Sequence, residues 1–273
     1  MAKGRVLFVN QEMLPYLDGS ELSKISRNIP QYIQEKGKEI RTFMPKFGNI
    51  NERKNQLHEV IRLSGINLII ENADHPLIIK VASIKPARMQ VYFIDNEDFF
   101  LRRYDVYDVK NKMFIDNDER TIFYSRGVLE TIKKLNWQPQ VIHCTGWFTC
   151  LIPFYVKRTE YKHNPLFSKS KIVITLYDDD FGDSLCENLY KKLKVDGGTL
   201  KDWKFYKEPT YLNFMMAAVS YADGIVLGSD KINPELLEFV RQTKKNIIEY
   251  APVEEQVEKL NALYDKIIIP VED

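Results

Sequence analysis

The chain has 273 residues, 44% of them hydrophobic, which is enough for one large α/β domain or two small ones. Its 39 lysines and arginines against 38 aspartates and glutamates give a formal net charge of +1, so no overall field recruits nucleic acid or an anionic membrane. No stretch approaches the ~20 apolar residues of a membrane span, and the N-terminus shows no signal-peptide core. Its three cysteines fit reduced thiols better than disulfides, which together with the preceding features predicts a cytoplasmic protein.

The first fifty residues predict a unit of strand, loop, helix and strand. The apolar run at 6–9 is typical of a buried parallel strand, and residues 39–44 predict the next one. Between them, apolar residues recur at helical spacing over 22–37, where Pro30 is expected to kink or interrupt the helix. Because ligands of such sheets bind at the carboxyl ends of the strands, the loop at 12–20 is the first candidate site.

Two motifs in this unit resemble the opening of bacterial glycogen synthases and plant starch synthases. Glu-x-x-Pro-aromatic follows the first strand at 12–16, and Met-Pro-Lys-Phe-Gly-Asn-Ile closes the second at 44–50. Those enzymes fold as two Rossmann-like domains in the GT-B arrangement and transfer glucose from ADP-glucose to an α-1,4-glucan. The resemblance implies an α/β fold, a single Rossmann-like three-layer domain with a mostly parallel sheet, corresponding to the N-terminal, acceptor-side half.

The phosphate loop of that family is altered here. Where the synthases carry Lys-Thr-Gly-Gly-Leu, this chain has Asp-Gly-Ser-Glu-Leu at 18–22. The family lysine meets the anionic sugar nucleotide, whereas Asp18 and Glu21 place negative charge there and repel a diphosphate. Tyr16, Asp18 and Gly19, which follow the end of the first strand, are candidate ligand-binding residues.

The middle of the chain follows the family's order of segments. Residues 90–95 predict a strand, and a charged aromatic stretch follows at 97–104. Alternating basic and aromatic residues can bind nucleic acid, but acidic neighbours argue against a phosphate groove. Segments 91–100 and 116–130 match those that bring an aromatic loop and a helix to the acceptor cleft in the synthases.

A short strand and turn at 141–149 hold three further candidates. The synthase segment His-Asp-Trp-His-Thr is matched by Thr-Gly-Trp-Phe-Thr, so Trp147 and Thr149 remain while the two histidines and the acid do not. His143 matches the family's first histidine of this strand. A lone histidine at a strand end is more often a hydrogen-bonded core residue than an acid–base group, and both interpretations stay open.

Residues 171–178 predict the next central strand, and polar residues follow it. The histidine-asparagine pair that ends this strand in the synthases is matched by Tyr177 and Asp178, which we take as ligand-binding candidates. The run Asp178, Asp179 and Asp180 raises a metal hypothesis, because hard cations take clustered carboxylates. Adjacent residues project in different directions, so a charged turn without a metal is favoured.

The resemblance covers about residues 5–229, with 211–229 predicting a packed helix and the last strand. It stops where a synthase begins its second, nucleotide-binding domain, which is expected to be absent. We predict a single domain over 1–273. Its C-terminal extension, 241–273, should pack on that domain through an amphipathic helix at 253–267.

These observations predict a degenerate acceptor-side domain that does not transfer glucose alone and needs no cofactor. It would serve as a glycan-binding or protein-interaction module, with an α-glucan or another carbohydrate docking on the rings of Trp147, Tyr177 and Tyr16. The alternative is a glycosyltransferase subunit completed by a partner chain that carries the nucleotide-sugar domain; a binder of some other small ligand is a third hypothesis. An exposed apolar face on the side of the second domain would favour a protein partner, and a polar face sealed by the helix at 253–267 would favour the module.

Overall fold

The computed structural model describes residues 4–268, which form one ten-stranded sheet with helices on both faces. The strands are β1 (Arg5–Asn10), β2 (Glu39–Pro45), β3 (His58–Glu59), β4 (Ile66–Ile70), β5 (Ala73–Ile84), β6 (Met89–Asp95), β7 (Val141–Thr145), β8 (Lys171–Leu176), β9 (Gly224–Leu227) and β10 (Asn246–Ile248). The α-helices are α1 (Glu21–Glu35), α2 (Glu52–Asn55), α3 (Glu97–Phe100), α4 (Asn117–Leu135), α5 (Ile152–Arg158), α6 (Leu189–Asp196), α7 (Leu200–Tyr206), α8 (Tyr211–Tyr221), α9 (Pro234–Gln242) and α10 (Val253–Ile267). In this described part of the chain, no helix has the length and apolar character needed to cross a bilayer.

The sheet runs in the order β10-β9-β8-β7-β1-β2-β6-β5-β3, with β4 paired to β5. Every pairing from β10 to β6 is parallel, whereas β5 is antiparallel to its neighbours. The central strands are buried along nearly their whole length, as expected for a parallel sheet covered on both faces. The mostly parallel three-layer α/β fold predicted from the sequence is confirmed.

Two apolar clusters hold the helices to the two faces of this sheet. The larger one includes α4, α5 and α8, and the smaller one joins α1 and α10 to the other face. In the smaller cluster, Ile25 and Ile29 of α1 pack with Leu260 and Tyr264 of α10, and all four side chains are buried. The helix at 253–267 therefore covers a face of the sheet and leaves the carboxyl edge of the strands open.

Two details of these elements differ from the sequence expectations. Helix α1 continues through Pro30, so the proline does not interrupt it. A proline inside a helix costs about 3 kcal/mol, but the buried face of α1 gains more than that from packing on the sheet. The strand at 224–227 is also not the last one, since residues 246–248 add β10 beside it. A strand of three residues is too short to be recognised from hydrophobic alternation.

Residues 186–204, which have the composition of an insertion, form α6 and α7 and are fixed to α4 by a buried ion pair. The Nζ atom of Lys192 in α6 lies 2.7 Å from Oδ2 of Asp118 and 2.6 Å from Oε1 of Glu119. The Asp118 side chain is fully buried, and burial raises its pKa while Lys192 opposes the shift. The carboxylate of Asp118 thus depends on Lys192 for its charge partner.

We expect Lys192→Met to lower the free energy of unfolding by about 3 kcal/mol, because it leaves the Asp118 carboxylate buried and unpaired. The neighbouring Lys191 is exposed, and Lys191→Met should change stability by no more than about 0.5 kcal/mol. Urea unfolding of both variants and the parent measures these values. Equal effects of the two substitutions would show that the ion pair does not stabilise the attachment of α6.

Candidate functional site at the carboxyl edge

The carboxyl ends of the three central strands meet at one edge of the sheet. Asn10 pairs with Thr145 across β1 and β7, and Thr145 pairs with Thr175 of β8. The turn after β7 lies directly against the loop after β1, because a Cβ on Gly146 would approach the Cβ of Gln11 to 2.7 Å. The Phe148 N–H also donates to Gln11 Oε1 over 3.1 Å. These contacts fix the two loops relative to each other.

The start of α1 is occupied by the protein's own polar groups. The Ser20 hydroxyl accepts a hydrogen bond from the Ser23 N–H over 2.9 Å, which caps the helix, and it donates to the Glu12 carboxylate. Burial raises the pKa of Glu12, and the negative charges of Asp105 and Asp179 add to the rise. A carboxyl group from β1's own loop therefore sits where helix dipoles favour bound anions.

The three consecutive aspartates have separate surroundings. Asp179 accepts hydrogen bonds from the Trp147 N–H at 2.8 Å and from the Tyr211 hydroxyl at 2.7 Å, so it ties the turn after β8 to the turn after β7 and to α8. Asp180 accepts from the backbone N–H two residues further on, and Asp178 is exposed. Within residues 4–268, no group of three or more His, Cys, Asp or Glu residues is placed to hold a metal ion. These contacts give the run a structural role in the turn.

His143 and Thr149 lie inside the domain. The two ring nitrogens of His143 are 2.6 Å from the Tyr264 hydroxyl and 2.7 Å from the Thr175 hydroxyl. Burial lowers the pKa of His143 to about 3, so the ring is neutral at physiological pH. Thr149 is also buried, and its hydroxyl donates to the Gly146 carbonyl over 2.7 Å. Both side chains therefore bond to groups inside the domain and not to solvent, which agrees with the core interpretation of His143.

The three rings proposed as sugar platforms are buried. Trp147 packs against Phe181 with ring centroids 4.9 Å apart, and Tyr16 meets Phe93 edge-on at 4.8 Å. Tyr177 is also in the buried set. Stacking of a sugar needs an exposed ring face, and in this structure these three rings are covered by neighbouring side chains. Their direct contact with a ligand stays a prediction.

Tyr250 is an exposed group that the sequence analysis missed. Burial raises the pKa of the Tyr177 hydroxyl, and the charges of Glu21, Asp178 and Tyr250 add to the rise. Tyr250 is 52% exposed and follows β10, in a segment that the sequence analysis treated only as an extension. Asp18, Glu21, Asp178 and Tyr250 follow the ends of the parallel strands β1, β8 and β10, and we call these four residues the carboxylate patch. All four of its residues are exposed, as is Gly19.

His143 predicts a pH dependence of stability. Its pKa is about 3 in the folded chain and has an ordinary value of 6.5, so the unfolded chain binds the extra proton between these values and stability falls as pH falls through this window. His143→Gln can keep both hydrogen bonds without titrating. From about pH 7 to about pH 4, the variant should lose about 3 kcal/mol less stability than the parent in urea unfolding. Identical pH profiles would contradict the neutral buried state.

The sequence is similar to a known family of catalytic domains. The sequence profile of the starch synthase catalytic domain matches residues 5–246. The glycogen synthase of Chlorobium luteolum is 34% identical over 242 residues, which is 85% of this chain and 47% of that protein. The glycogen synthase of Chlorobium limicola is 39% identical over 175 residues, 64% of this chain and 36% of that protein. The chain thus spans less than half the length of these relatives.

Among solved structures, the fold is similar to the catalytic domain of starch synthase IV from Arabidopsis thaliana bound to ADP and acarbose. The TM-score is 0.67 at 16% identity, over 98% of this chain and 51% of that one. This likeness concerns the fold, whereas the sequence matches concern ancestry. Since the family profile spans nearly the whole sheet, from β1 to the start of β10, the chain belongs to the glycogen and starch synthase family of glycosyltransferases.

Proposed function

We propose that this domain is the acceptor side of a glucosyltransferase, that it binds α-glucan at the carboxylate patch, and that it does not hold ADP-glucose by itself. The observation that carries the proposal is the occupied start of α1, where Ser20 caps the helix and bonds to the Glu12 carboxylate. The relatives are glycogen synthases, and the starch synthase IV structure contains ADP and acarbose. Of these two kinds of ligand, we propose that this domain binds the carbohydrate and does not bind the nucleotide by itself.

Electrostatics argue against a bound diphosphate at this edge. Glu12, Asp18 and Glu21 surround the helix start with carboxylates, and two like charges about 4 Å apart repel by about 4 kcal/mol near a protein surface. Lys24, which lies in the first turns of α1, pairs with Glu21 over 2.5 Å. The helix dipole alone contributes typically about 0.3–1 kcal/mol for an anion, which does not offset that repulsion.

The same groups suit an uncharged sugar chain. Exposed carboxylates such as those of Asp18 and Asp178 accept hydrogen bonds from sugar hydroxyls. Because the sugar carries no charge, these carboxylates do not repel it. The half-exposed ring of Tyr250 offers an apolar face beside them. A shallow patch of this kind binds weakly, since binding buries few groups of either the protein or the sugar.

Glucose transfer by these 273 residues alone is not part of the proposal. A transferase must hold donor and acceptor together, because most of its advantage comes from positioning the two reactants. The chain matches 36–47% of the length of the glycogen synthases named above, so more than half of each relative has no counterpart in it.

Calorimetric titration of the purified chain tests the proposal directly. Maltoheptaose should bind with a Kd in the range of about 0.1–1 mM, which suits a shallow polar site, whereas ADP-glucose should give no heat of binding at the same concentrations. The expected difference follows from charge, so it should be largest without magnesium, which neutralises part of the diphosphate charge. Binding of ADP-glucose, or failure of maltoheptaose to bind, would overturn the assignment.

Within the patch, Tyr250→Ala should weaken maltoheptaose binding about fivefold, equivalent to a loss of about 1 kcal/mol from one aromatic contact. Tyr104 is the matched control, since it is also an exposed tyrosine but follows β6 on the other side of the edge. Tyr104→Ala should leave the affinity unchanged. An equal effect of the two substitutions would place the sugar elsewhere on the edge.

A further inference from the structure

A cavity of about 420 Å³ lies between α4, α6 and the turn that joins β4 to β5. This volume falls within the range of about 300–1,000 Å³ that is usual for small-molecule sites. A smaller cavity of about 200 Å³ adjoins it, since Arg126, Val195 and Asp196 line both. The described residues that line the larger cavity are all outside the carboxylate patch, so the proposed function leaves it without a role.

The guanidinium of Arg126 at this cavity has N–H groups that no protein acceptor uses. Its Nη1 donates to the Ile69 carbonyl oxygen over 2.7 Å and lies 3.5 Å from Oδ1 of Asp196. Both contacts involve the same nitrogen, so the N–H groups of Nε and Nη2 have no acceptor among residues 4–268. The side chain is only 21% exposed. Nε and Nη2 present a parallel pair of donors, which is the arrangement that binds a carboxylate with two hydrogen bonds.

A carboxylate with spare acceptor capacity lies on another wall of the same cavity. Oε2 of Glu71, in the turn after β4, is 3.6 Å from Nζ of Lys192, which is longer than a hydrogen bond. That ammonium group already contacts Asp118 at 2.7 Å and Glu119 at 2.6 Å. The cavity therefore offers one group for a negative charge and another for a positive charge.

Aliphatic side chains form much of the remaining wall. Ile70 of β4 and Ile122 of α4 are buried, whereas Val195 is 88% exposed and Ile69 is 59% exposed. Exposed aliphatic surface beside a cavity is removed from water when an apolar part of a ligand covers it, which favours binding. The cavity thus suits a ligand that carries an aliphatic group next to its two charges.

We propose that this cavity binds a free α-amino acid with an aliphatic side chain. The carboxylate of the amino acid accepts hydrogen bonds from Nε and Nη2 of Arg126, and its ammonium group pairs with Glu71. Its side chain contacts Ile122 and Val195. A plain carboxylate would be repelled by Glu71 and a plain amine by Arg126, so a zwitterion satisfies both walls better than either. Because the cavity is separate from the carboxylate patch, the inference does not depend on the proposed function.

Calorimetric titration of the purified full chain with three related compounds tests the need for both charges. L-leucine should bind with a Kd below about 1 mM. It should bind at least about tenfold more tightly than 4-methylpentanoate, which lacks the ammonium group, and than 3-methylbutylamine, which lacks the carboxylate. Absence of leucine binding, or equal affinities for leucine and either analogue, would overturn the proposal.

Substitution of Glu71 tests the place of the ammonium group. Glu71→Gln should weaken leucine binding at least about fivefold, whereas 4-methylpentanoate should bind no more weakly than before, because it has no ammonium group to lose. Glu59→Gln is the matched control, since Glu59 is an exposed glutamate of β3 outside the cavity. Both positions are exposed, so thermal unfolding should stay unchanged. Equal leucine affinities for the two variants would refute the assignment.

The aliphatic contact has its own matched pair of variants. Val195→Ser should weaken leucine binding about threefold, whereas Leu200→Ser should leave it unchanged, because Leu200 is 87% exposed but lies at the start of α7 outside the cavity. A loss in both variants or in neither would contradict the cavity as the site. Val195→Ser and Glu71→Gln should bind maltoheptaose as the parent does, so this proposal and the proposed function can fail separately.

Discussion

The guanidinium of Arg120 is buried where the loops of the carboxyl edge meet, and the shape of that edge depends on it. Its Nε donates to the Phe99 carbonyl at 2.9 Å and one Nη donates to Asn117 at 2.6 Å. Burial lowers the pKa of Arg120 to about 9, so it remains a cation at neutral pH. The rings that surround it come from the ends of four different segments: Phe47, Phe100, Phe114 and Phe148. Each desolvated cation–π contact is worth about 2 kcal/mol, which offsets part of the cost of burying the charge.

This arrangement separates the groups that support the edge from the groups of the proposed carbohydrate site. The cation that organises the loops is inside the domain, while the proposed site consists of exposed groups on residues 18–21, on Asp178 and on Tyr250. Substitutions in the exposed set alter charge without disturbing the aromatic cage. Under the proposed function, the exposed groups of this edge can therefore differ from those of the relatives while the sheet, α1 and α4 stay as they are.

The features that could be predicted from the sequence are those that depend on short stretches of the chain. Continuous apolar runs identified the parallel strands, and the motifs at 12–16, 44–50 and 116–130 identified the family before any coordinates. The sequence also indicated that a lone histidine at a strand end belongs to the core, and His143 does lie between two hydroxyl groups there. The predicted interruption at Pro30 was wrong, because tertiary packing outweighs a lost helical hydrogen bond. The predicted end of the sheet at 229 was also wrong, because a three-residue strand is too short to show hydrophobic periodicity.

The sequence could not predict which side chains at the carboxyl edge are exposed and which are buried. Trp147, Tyr177 and Tyr16 are aromatic residues at strand ends, yet each is covered by neighbours from distant segments. The side chains of Tyr250, Leu101, Val109 and Ile115 are exposed, since nothing distant in the described chain packs over them. By itself, therefore, the sequence determined the fold, the family and the charge of the helix start, which depend on residue type and order. Only the tertiary structure decided which of those residues a ligand or partner can touch, because burial is set by contacts between segments far apart in the chain.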